Sequence, residues 1–294
     1  MKIGVQLPEV EYEATWRQIA TMARVAEEVG LDSLWVGDHL LYDLPDGRRG
    51  PWEAWSLLAA LAAITERVEL GPLVAALPFH NPGLLAKKAA TVDEISGGRL
   101  VLGIGAGWNR VEFEAFGLPY DRRVDRFEEA FTIVRTLLSD GQMDFRGEFY
   151  TMADCELLPR PTRPGGPPLL IGSNGPRMLA LTLPYVFAWN SWYSAFDNDP
   201  AAVASLIERI DAECLRAGRR PEDVAKTVAL YVGFNDRPSR RTGGLPLPGN
   251  DDRIIQHLQS VEAAGVSHVQ AILDPIVPET IEKLGEIAAR FRDL

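Results

Sequence analysis

Residues 15–40, TWRQIATMARVAEEVGLDSLWVGDHL, contain one helix and one strand, and the repetition of this unit decides the fold. Thr15 and Gln18 have the spacing of a capping box, which predicts that a helix begins here. Apolar residues follow at helical spacing, and Gly30 stands where helices commonly end with a glycine. The apolar run SLWVG (33–37) then predicts a buried strand.

The alternation of strand and helix continues along the chain. Eight strands with nearly continuous apolar runs are typical of a parallel sheet covered by helices on both faces. We therefore predict an α/β fold, a (β/α)8 TIM barrel. An open, doubly wound sheet is disfavoured because no glycine-rich dinucleotide motif follows the first strand. The predicted strands are 2–7, 33–37, 68–74, 100–105, 168–172, 185–190, 227–234 and 267–273.

Two segments interrupt this alternation. Residues 141–168 form an excursion that is partly β around GEFYTM and rich in proline afterwards. Residues 236–250 have the composition of a mobile surface loop. A length of 294 residues lies within the range of a single α/β barrel, so we expect one domain covering 1–294.

Composition and charge disfavour several classes of protein. Hydrophobic residues make up 46% and charged residues 24%, which is typical of a soluble globular protein. No apolar stretch reaches the roughly 18 residues of a membrane span, and the first residues lack a signal pattern. The net charge of −11 argues against a nucleic-acid partner. Only Cys155 and Cys214 occur, so we expect a cytoplasmic protein without a disulfide framework.

Polar residues follow two of the predicted strands. Chemistry in such a barrel takes place at the carboxyl-terminal ends of the strands, which is where Asp38 and His39 lie. His80 follows strand three and either shares this edge or is a loop residue beside a helix cap. His257 and His268 fall within a helix and at the start of a strand, so we interpret them as structural.

Two turns of small residues follow strands four and five, GIGAGW (103–108) and GSNGPR (172–177). Backbone N–H groups and the helix dipole converge at such turns and favour an anion. Ser173 adds a hydroxyl and Arg177 a positive charge, which together indicate a phosphorylated cofactor. The alternative is that the glycines only permit tight turns.

Aromatic residues also gather near the strand ends. Trp108 and Trp192 lie beyond a strand, as Phe79 does, and they predict a pocket for a planar, apolar ligand. Trp35 and Trp55 lie within elements and are expected in the core.

Three stretches carry a resemblance to a known family: EEVGLDSLWVGDHL (27–40), HNPGLLAKKAATVDEISGGRLVLGIGAGWNRVEFEAFG (80–117) and PLLIGSNGPRML (168–179). Together they resemble the luciferase-like monooxygenase superfamily, and the WVGDH segment is similar to the branch that uses the deazaflavin coenzyme F420. The resemblance extends over nearly the whole chain and leaves a homodimer open, since relatives are often dimers.

The resemblance implies several site residues. Asp38 matches an aspartate that hydrogen-bonds the deazaflavin ring system, and His39 faces the reaction centre. Leu73 and Val74 match a non-prolyl cis peptide that backs the ring. The segments that hold ribityl and phosphate groups match Ala106, Gly107, Gly172, Ser173, Asn174, Gly175 and Arg177.

The sequence departs from the family pattern at two places. Relatives that oxidise sugar phosphates carry a glutamate where Trp108 stands, so that activity is not expected. The family segment ADGWN reads VFAWN (186–190), in which the acid is lost and Phe187 in its place adds bulk. This change indicates either a more apolar pocket or simple core packing.

The function implied is hydride transfer between C5 of F420 and a small organic substrate, with His39 as proton donor or acceptor. Phe79, His80, Trp108 and Trp192 are the predicted substrate pocket. Arg177 and arginines within 237–241 could meet the anionic tail of F420. The alternatives are an FMN-dependent monooxygenase and a non-catalytic flavin-binding protein; no strand-end lysine suggests a barrel aldolase.

Overall fold

The structure is a computed structural model that describes residues 1–234 and 246–294. The strands are β1 (Lys2–Gln6), β2 (Ser33–Val36), β3 (Tyr42–Leu44), β4 (Gly47–Arg49), β5 (Glu69–Pro72), β6 (Ala75–Ala76), β7 (Leu102–Gly105), β8 (Gln142–Arg146), β9 (Thr151–Glu156), β10 (Leu169–Gly172), β11 (Ala188–Ser191), β12 (Ala225–Gly233), β13 (Leu247–Pro248) and β14 (His268–Asp274). The helices are α1 (Trp16–Glu28), α2 (Ala54–Ile64), α3 (Pro82–Ile95), α4 (Arg110–Ala115), α5 (Arg123–Asp140), α6 (Pro176–Thr182), α7 (Pro200–Arg216), α8 (Asp251–Ala263) and α9 (Pro278–Arg292).

Local signals in the sequence set the ends of several helices. The capping box before α1 is present, with the Thr15 backbone N–H donating to Gln18 Oε1 at 2.8 Å. Gly30 follows α1 with φ +81°, a conformation that glycine adopts without steric cost. Before α3, Asn81 Oδ1 accepts from the Leu84 N–H at 3.1 Å, and Pro82 occupies the first turn. The predictions for these helix starts are confirmed.

The described residues form two compact units. The first unit contains residues 1–35 and 170–294, and the second contains residues 36–169. In the first unit the parallel strands lie in the order β2, β1, β14, β12, β11, β10, with the short β13 beside β12. Helices α1 and α6 to α9 belong to the same unit. The strands are almost entirely buried, as their continuous apolar runs predicted.

A buried hydrogen-bond chain crosses β1 in this unit. Trp35 Nε1 donates to Ser33 Oγ at 2.7 Å, and Ser33 Oγ is hydrogen-bonded to His268 Nε2 at 2.7 Å. Gly4 lies on the strand between them, and a Cβ atom there would be 1.8 Å from Ser33 Oγ. The chain therefore needs glycine at position 4, and His268 is structural as predicted.

The second unit contains β5, β6 and β7 with helices α2 to α5 and two antiparallel hairpins. Predicted strand three (68–74) is observed as β5, and the short strand β6 follows beyond its predicted end and pairs in parallel with β7. One hairpin is β3–β4, and the other, β8–β9, lies inside the excursion predicted for 141–168.

Strand-helix alternation in both units matches the prediction, with β5 and β6 counted as one strand. Of the loop predicted for 236–250, residues 236–245 lie outside the described residues, and Leu247–Pro248 form β13. Among the residues that the structure describes, no helix has both the length and the apolar character needed to cross a membrane.

We predict that His268 makes the stability of the protein depend on pH. Burial lowers the pKa of His268 to about 3, so the unfolded chain takes up a proton that the folded chain does not. Below the usual imidazole pKa of about 6.5, the free energy of unfolding should therefore fall as the pH falls towards 3. Urea unfolding between pH 7 and pH 4 should show a slope up to about 1.4 kcal/mol per pH unit steeper in the wild type than in His268→Gln. Equal slopes would mean that His268 becomes protonated in the folded protein.

Candidate active site

Asp38 connects three segments of the second unit by hydrogen bonds: the end of β2, strand β6 and the loop at His80. It follows β2, is only 4% exposed, and accepts two hydrogen bonds on Oδ2. The donors are the Ala76 N–H of β6 at 2.9 Å and Nε2 of His80 at 2.7 Å. Oδ1 has no hydrogen-bond partner among the described residues. The structure therefore places His80 beside Asp38. This supports the interpretation in which His80 shares the strand edge with Asp38 and His39.

His39 is held by a second buried carboxylate, that of Glu112 in α4. His39 Nδ1 lies 2.9 Å from Glu112 Oε1, and the Leu40 N–H donates to Glu112 Oε2 at 2.8 Å. Glu112 is fully buried, whereas the His39 side chain is 18% exposed. Because a carboxylate accepts the Nδ1 proton, Nε2 becomes the basic nitrogen of the neutral ring.

The sequence offered no signal for Glu112. It stands in the first turn of a six-residue helix, where an acidic residue is common, and Glu114 on the same helix is equally acidic but exposed. Its hydrogen bonds reach 72 and 73 residues back along the chain, so only the tertiary structure distinguishes the two glutamates.

Aromatic side chains surround His39. Its ring centroid lies 4.8 Å from that of Tyr42 and 5.8 Å from that of Trp108. Trp108 is 62% exposed, which fits the side of an open pocket better than a core position. Phe79 packs edge-to-face on Phe113 at 4.6 Å, while Trp55, predicted in the core, is buried.

The strand-three and strand-four ends meet within the second unit. The peptide between Leu73 and Val74 is cis, as the resemblance implied. A Cβ atom on Gly103 would be 2.2 Å from the Pro72 carbonyl oxygen, and one on Gly107 (φ +71°) would be 2.8 Å from Phe113. The glycines of this turn thus have a packing reason, independent of any anion.

The turn after β10, in the first unit, is ordered by side chains of the neighbouring strand. Trp189 Nε1 donates to the Ser173 carbonyl oxygen at 3.0 Å, and Asn174 Nδ2 donates to Ser191 Oγ at 3.0 Å. Ser173 Oγ accepts from the Gly175 N–H at 3.2 Å. Arg177 is exposed in the first turn of α6.

Trp189 itself is fully buried. Of the residues that differ from the family segment, Val186 is fully buried, whereas Phe187 is 54% exposed, so core packing accounts for the bulk of Val186 but not for that of Phe187. Trp192 directly follows β11, and its ring centroid lies 5.1 Å from that of Tyr193. Burial raises the pKa of Tyr193 to about 12, so its phenol stays neutral even at a pH where an exposed tyrosine ionises. Within the described ranges, no group of three or more His, Cys, Asp or Glu could hold a metal ion.

Comparison with known proteins assigns the family. The model of the luciferase-like monooxygenases matches residues 1–267. The chain belongs to the luciferase-like monooxygenase family. The resemblance found in its sequence is thereby confirmed.

Two curated relatives share about a third of their aligned residues with this luciferase-like chain. It is 35% identical over 231 residues to a 5,10-methylenetetrahydromethanopterin reductase of Archaeoglobus fulgidus, covering 78% of this chain and 63% of the relative. It is 35% identical over 181 residues to an F420-dependent glucose-6-phosphate dehydrogenase of Amycolatopsis mediterranei, covering 60% and 53%. The chain therefore spans less than two thirds of the length of either relative.

Solved structures of other proteins have the same fold as this chain. An F420-dependent secondary alcohol dehydrogenase in complex with an F420–acetone adduct superposes with a TM-score of 0.82 at 21% identity, covering 97% of both chains. At this identity the likeness establishes the fold alone. The predicted α/β barrel is confirmed.

We predict that Glu112→Gln destabilises the protein. The amide keeps one acceptor but turns an NH2 group towards either the His39 Nδ1 or the Leu40 N–H, so a buried donor loses its partner. The free energy of unfolding in urea should fall by about 1–3 kcal/mol. Glu114→Gln on the same helix is the matched control, because its side chain is 62% exposed, and it should change stability by less than about 0.5 kcal/mol. Equal effects of the two substitutions would contradict the assigned contacts.

Proposed function

We propose that this chain is an oxidoreductase that transfers a hydride between C5 of F420 and a small organic substrate. The observation that carries the proposal is the end of β2, where Asp38 and His39 stand side by side and each makes its own partly buried hydrogen bond, Asp38 with His80 and His39 with Glu112. When bound, F420 supplies the hydride chemistry, and the protein supplies binding, orientation and proton transfer.

The residues around Asp38 fit the deazaflavin ring. Asp38 Oδ2 is occupied by Ala76 and His80, which leaves Oδ1 to accept a hydrogen bond from the ring. We assign the segment Leu73–Val74 to the back of the ring, and Ala106 and Gly107 to the ribityl chain. These assignments follow the family resemblance.

The turn after β10 fits the polar chain of the cofactor. Asn174 Oδ1 is buried without a partner among the described residues, so it is an acceptor suited to a ribityl hydroxyl. We assign Gly172, Ser173, Asn174, Gly175 and Arg177 to the ribityl and phosphate groups. Arg177 carries the positive charge that a phosphate requires.

His39 is the group assigned to proton transfer. Its contact with Glu112 sets the ring orientation and makes Nε2 the nitrogen that takes or gives the proton. Trp108 and Tyr42 flank the ring and, with Phe79, His80 and Trp192, are the residues that we assign to the substrate pocket. The relative from Amycolatopsis mediterranei is F420-dependent, which supports the choice of cofactor.

The second candidate function is an FMN-dependent monooxygenase. The description of the family, luciferase-like monooxygenase, favours it. A non-catalytic flavin-binding protein is the alternative from another class, and the pair Asp38–His39 argues against it because binding alone needs no proton-transfer group.

We predict that F420 binds at least tenfold more tightly than FMN, a difference of about 1.4 kcal/mol. Isothermal titration of the purified protein with each cofactor measures both dissociation constants. Asp38→Asn should raise the dissociation constant for F420, because one amide cannot satisfy both donors and still accept from the ring. The control Asp43→Asn, an exposed residue of the β3–β4 hairpin, should leave it unchanged. Equal or tighter binding of FMN would favour the monooxygenase, and binding of neither would contradict both enzymes.

A further inference from the structure

Two glutamines of the first unit have buried amide atoms without partners. Gln6 is 2% exposed and Gln270 is fully buried. Among the described residues, both amide atoms of Gln6 and Nε2 of Gln270 lack a hydrogen-bond partner. Folded proteins rarely leave such groups unpaired, because each loses its hydrogen bonds to water on burial. We therefore expect these amide atoms to have a hydrogen-bond partner that does not belong to the described residues.

The two amides lie on the same face of adjacent strands. Gly4 of β1 is paired with Gln270 of β14, and Gln6 stands two residues further along β1, on the face that Gly4 occupies. Long side chains at such diagonal positions reach one another. Gln6 is also the last residue of β1, at the carboxyl-terminal end where parallel α/β sheets bind ligands.

The orientation of the Gln270 amide is set by its other neighbours. Its Oε1 accepts from Asn190 Nδ2 at 2.8 Å, and the same Nδ2 donates to Thr227 Oγ1 at 2.9 Å. The oxygen of Gln270 is thus engaged, and its NH2 group remains as a donor. Together Gln6 and Gln270 offer two donor groups and one acceptor.

We propose that Gln6 and Gln270 form a subsite that binds the cis-amide edge of an uncharged ligand, a C=O beside an N–H as in a lactam or an imide. Gln6 donates from Nε2 to the ligand oxygen and accepts on Oε1 from the ligand N–H, while Gln270 donates to the same oxygen. A carboxylate has no proton for Gln6 Oε1. Binding requires the Gln6 side chain to turn towards the ligand, since its amide is covered in the structure.

This subsite goes beyond the proposed function, because binding of an amide edge requires neither F420 nor a redox step. The edge could belong to an organic substrate or to the ring of a cofactor that has the same chemistry. The test of this subsite can therefore fail while the assignment of F420 stands. Likewise, the subsite can be confirmed when the assignment of F420 fails.

The test combines stability and ligand binding in Gln6→Met. Methionine has a similar length and removes two unpaired polar atoms, so the melting temperature should stay the same or rise. Binding of 2-pyrrolidinone, followed through the side-chain amide NMR resonances of glutamine, should weaken at least tenfold. Gln259→Met, an exposed position on α8, should change neither the melting temperature nor the binding.

Two results would overturn the proposal. A lower melting temperature of Gln6→Met would show that the Gln6 amide has a partner within the folded chain. Equal affinity of the wild type for 2-pyrrolidinone and for its N-methyl derivative, which lacks the N–H, would show that Oε1 accepts nothing. If the lactam binds, a titration in the presence of saturating F420 identifies the source of the edge: displacement assigns it to the cofactor, and retained binding assigns it to the substrate.

Discussion

The arrangement of the candidate site depends on the buried carboxylate of Glu112. One oxygen holds the ring of His39 and the other holds the backbone of Leu40, so the short helix α4 is joined to the end of β2. Asp38 has the same role for β6 and for His80. Each histidine ring is thus oriented by a carboxylate before any ligand binds, and an oriented group loses little entropy when it acts on a substrate.

Both carboxylates belong to a chain that is already acidic, with a net charge of −11. An anionic cofactor must therefore be bound by local donors that oppose the general field. The turn after β10 has this character, because Trp189 and Ser191 fix its backbone and Asn174 while Arg177 stands at the surface. The largely aromatic pocket proposed for the substrate and the polar turn proposed for the phosphate thus meet different electrostatic requirements.

Local patterns in the sequence were sufficient to predict eight of the parallel strands, the helix caps at Thr15 and Asn81, and the position of Asp38 and His39 after β2, but not the hairpin β3–β4. They work because caps and apolar periodicity depend on neighbouring residues. Glu112 could not be predicted, since its partners lie more than 70 residues away and nothing local separates it from Glu114. Strand β11 begins at Ala188, later than predicted, because the N–H groups of Tyr185 and Val186 still donate to the Thr182 carbonyl oxygen at the end of α6, at 2.9 and 3.0 Å.

The central claim is that Glu112 fixes the proton of neutral His39 on Nδ1 and leaves Nε2 as the nitrogen that exchanges protons. Nitrogen-15 NMR of histidine-labelled protein, at a pH where the ring is neutral, measures this directly, with His39→Asn identifying the resonances. The account predicts a protonated Nδ1 and an unprotonated Nε2 in His39, and loss of this preference in Glu112→Ala, which removes both carboxylate oxygens. A His39 ring that carries its proton mainly on Nε2, or that is unaffected by the substitution, would contradict it.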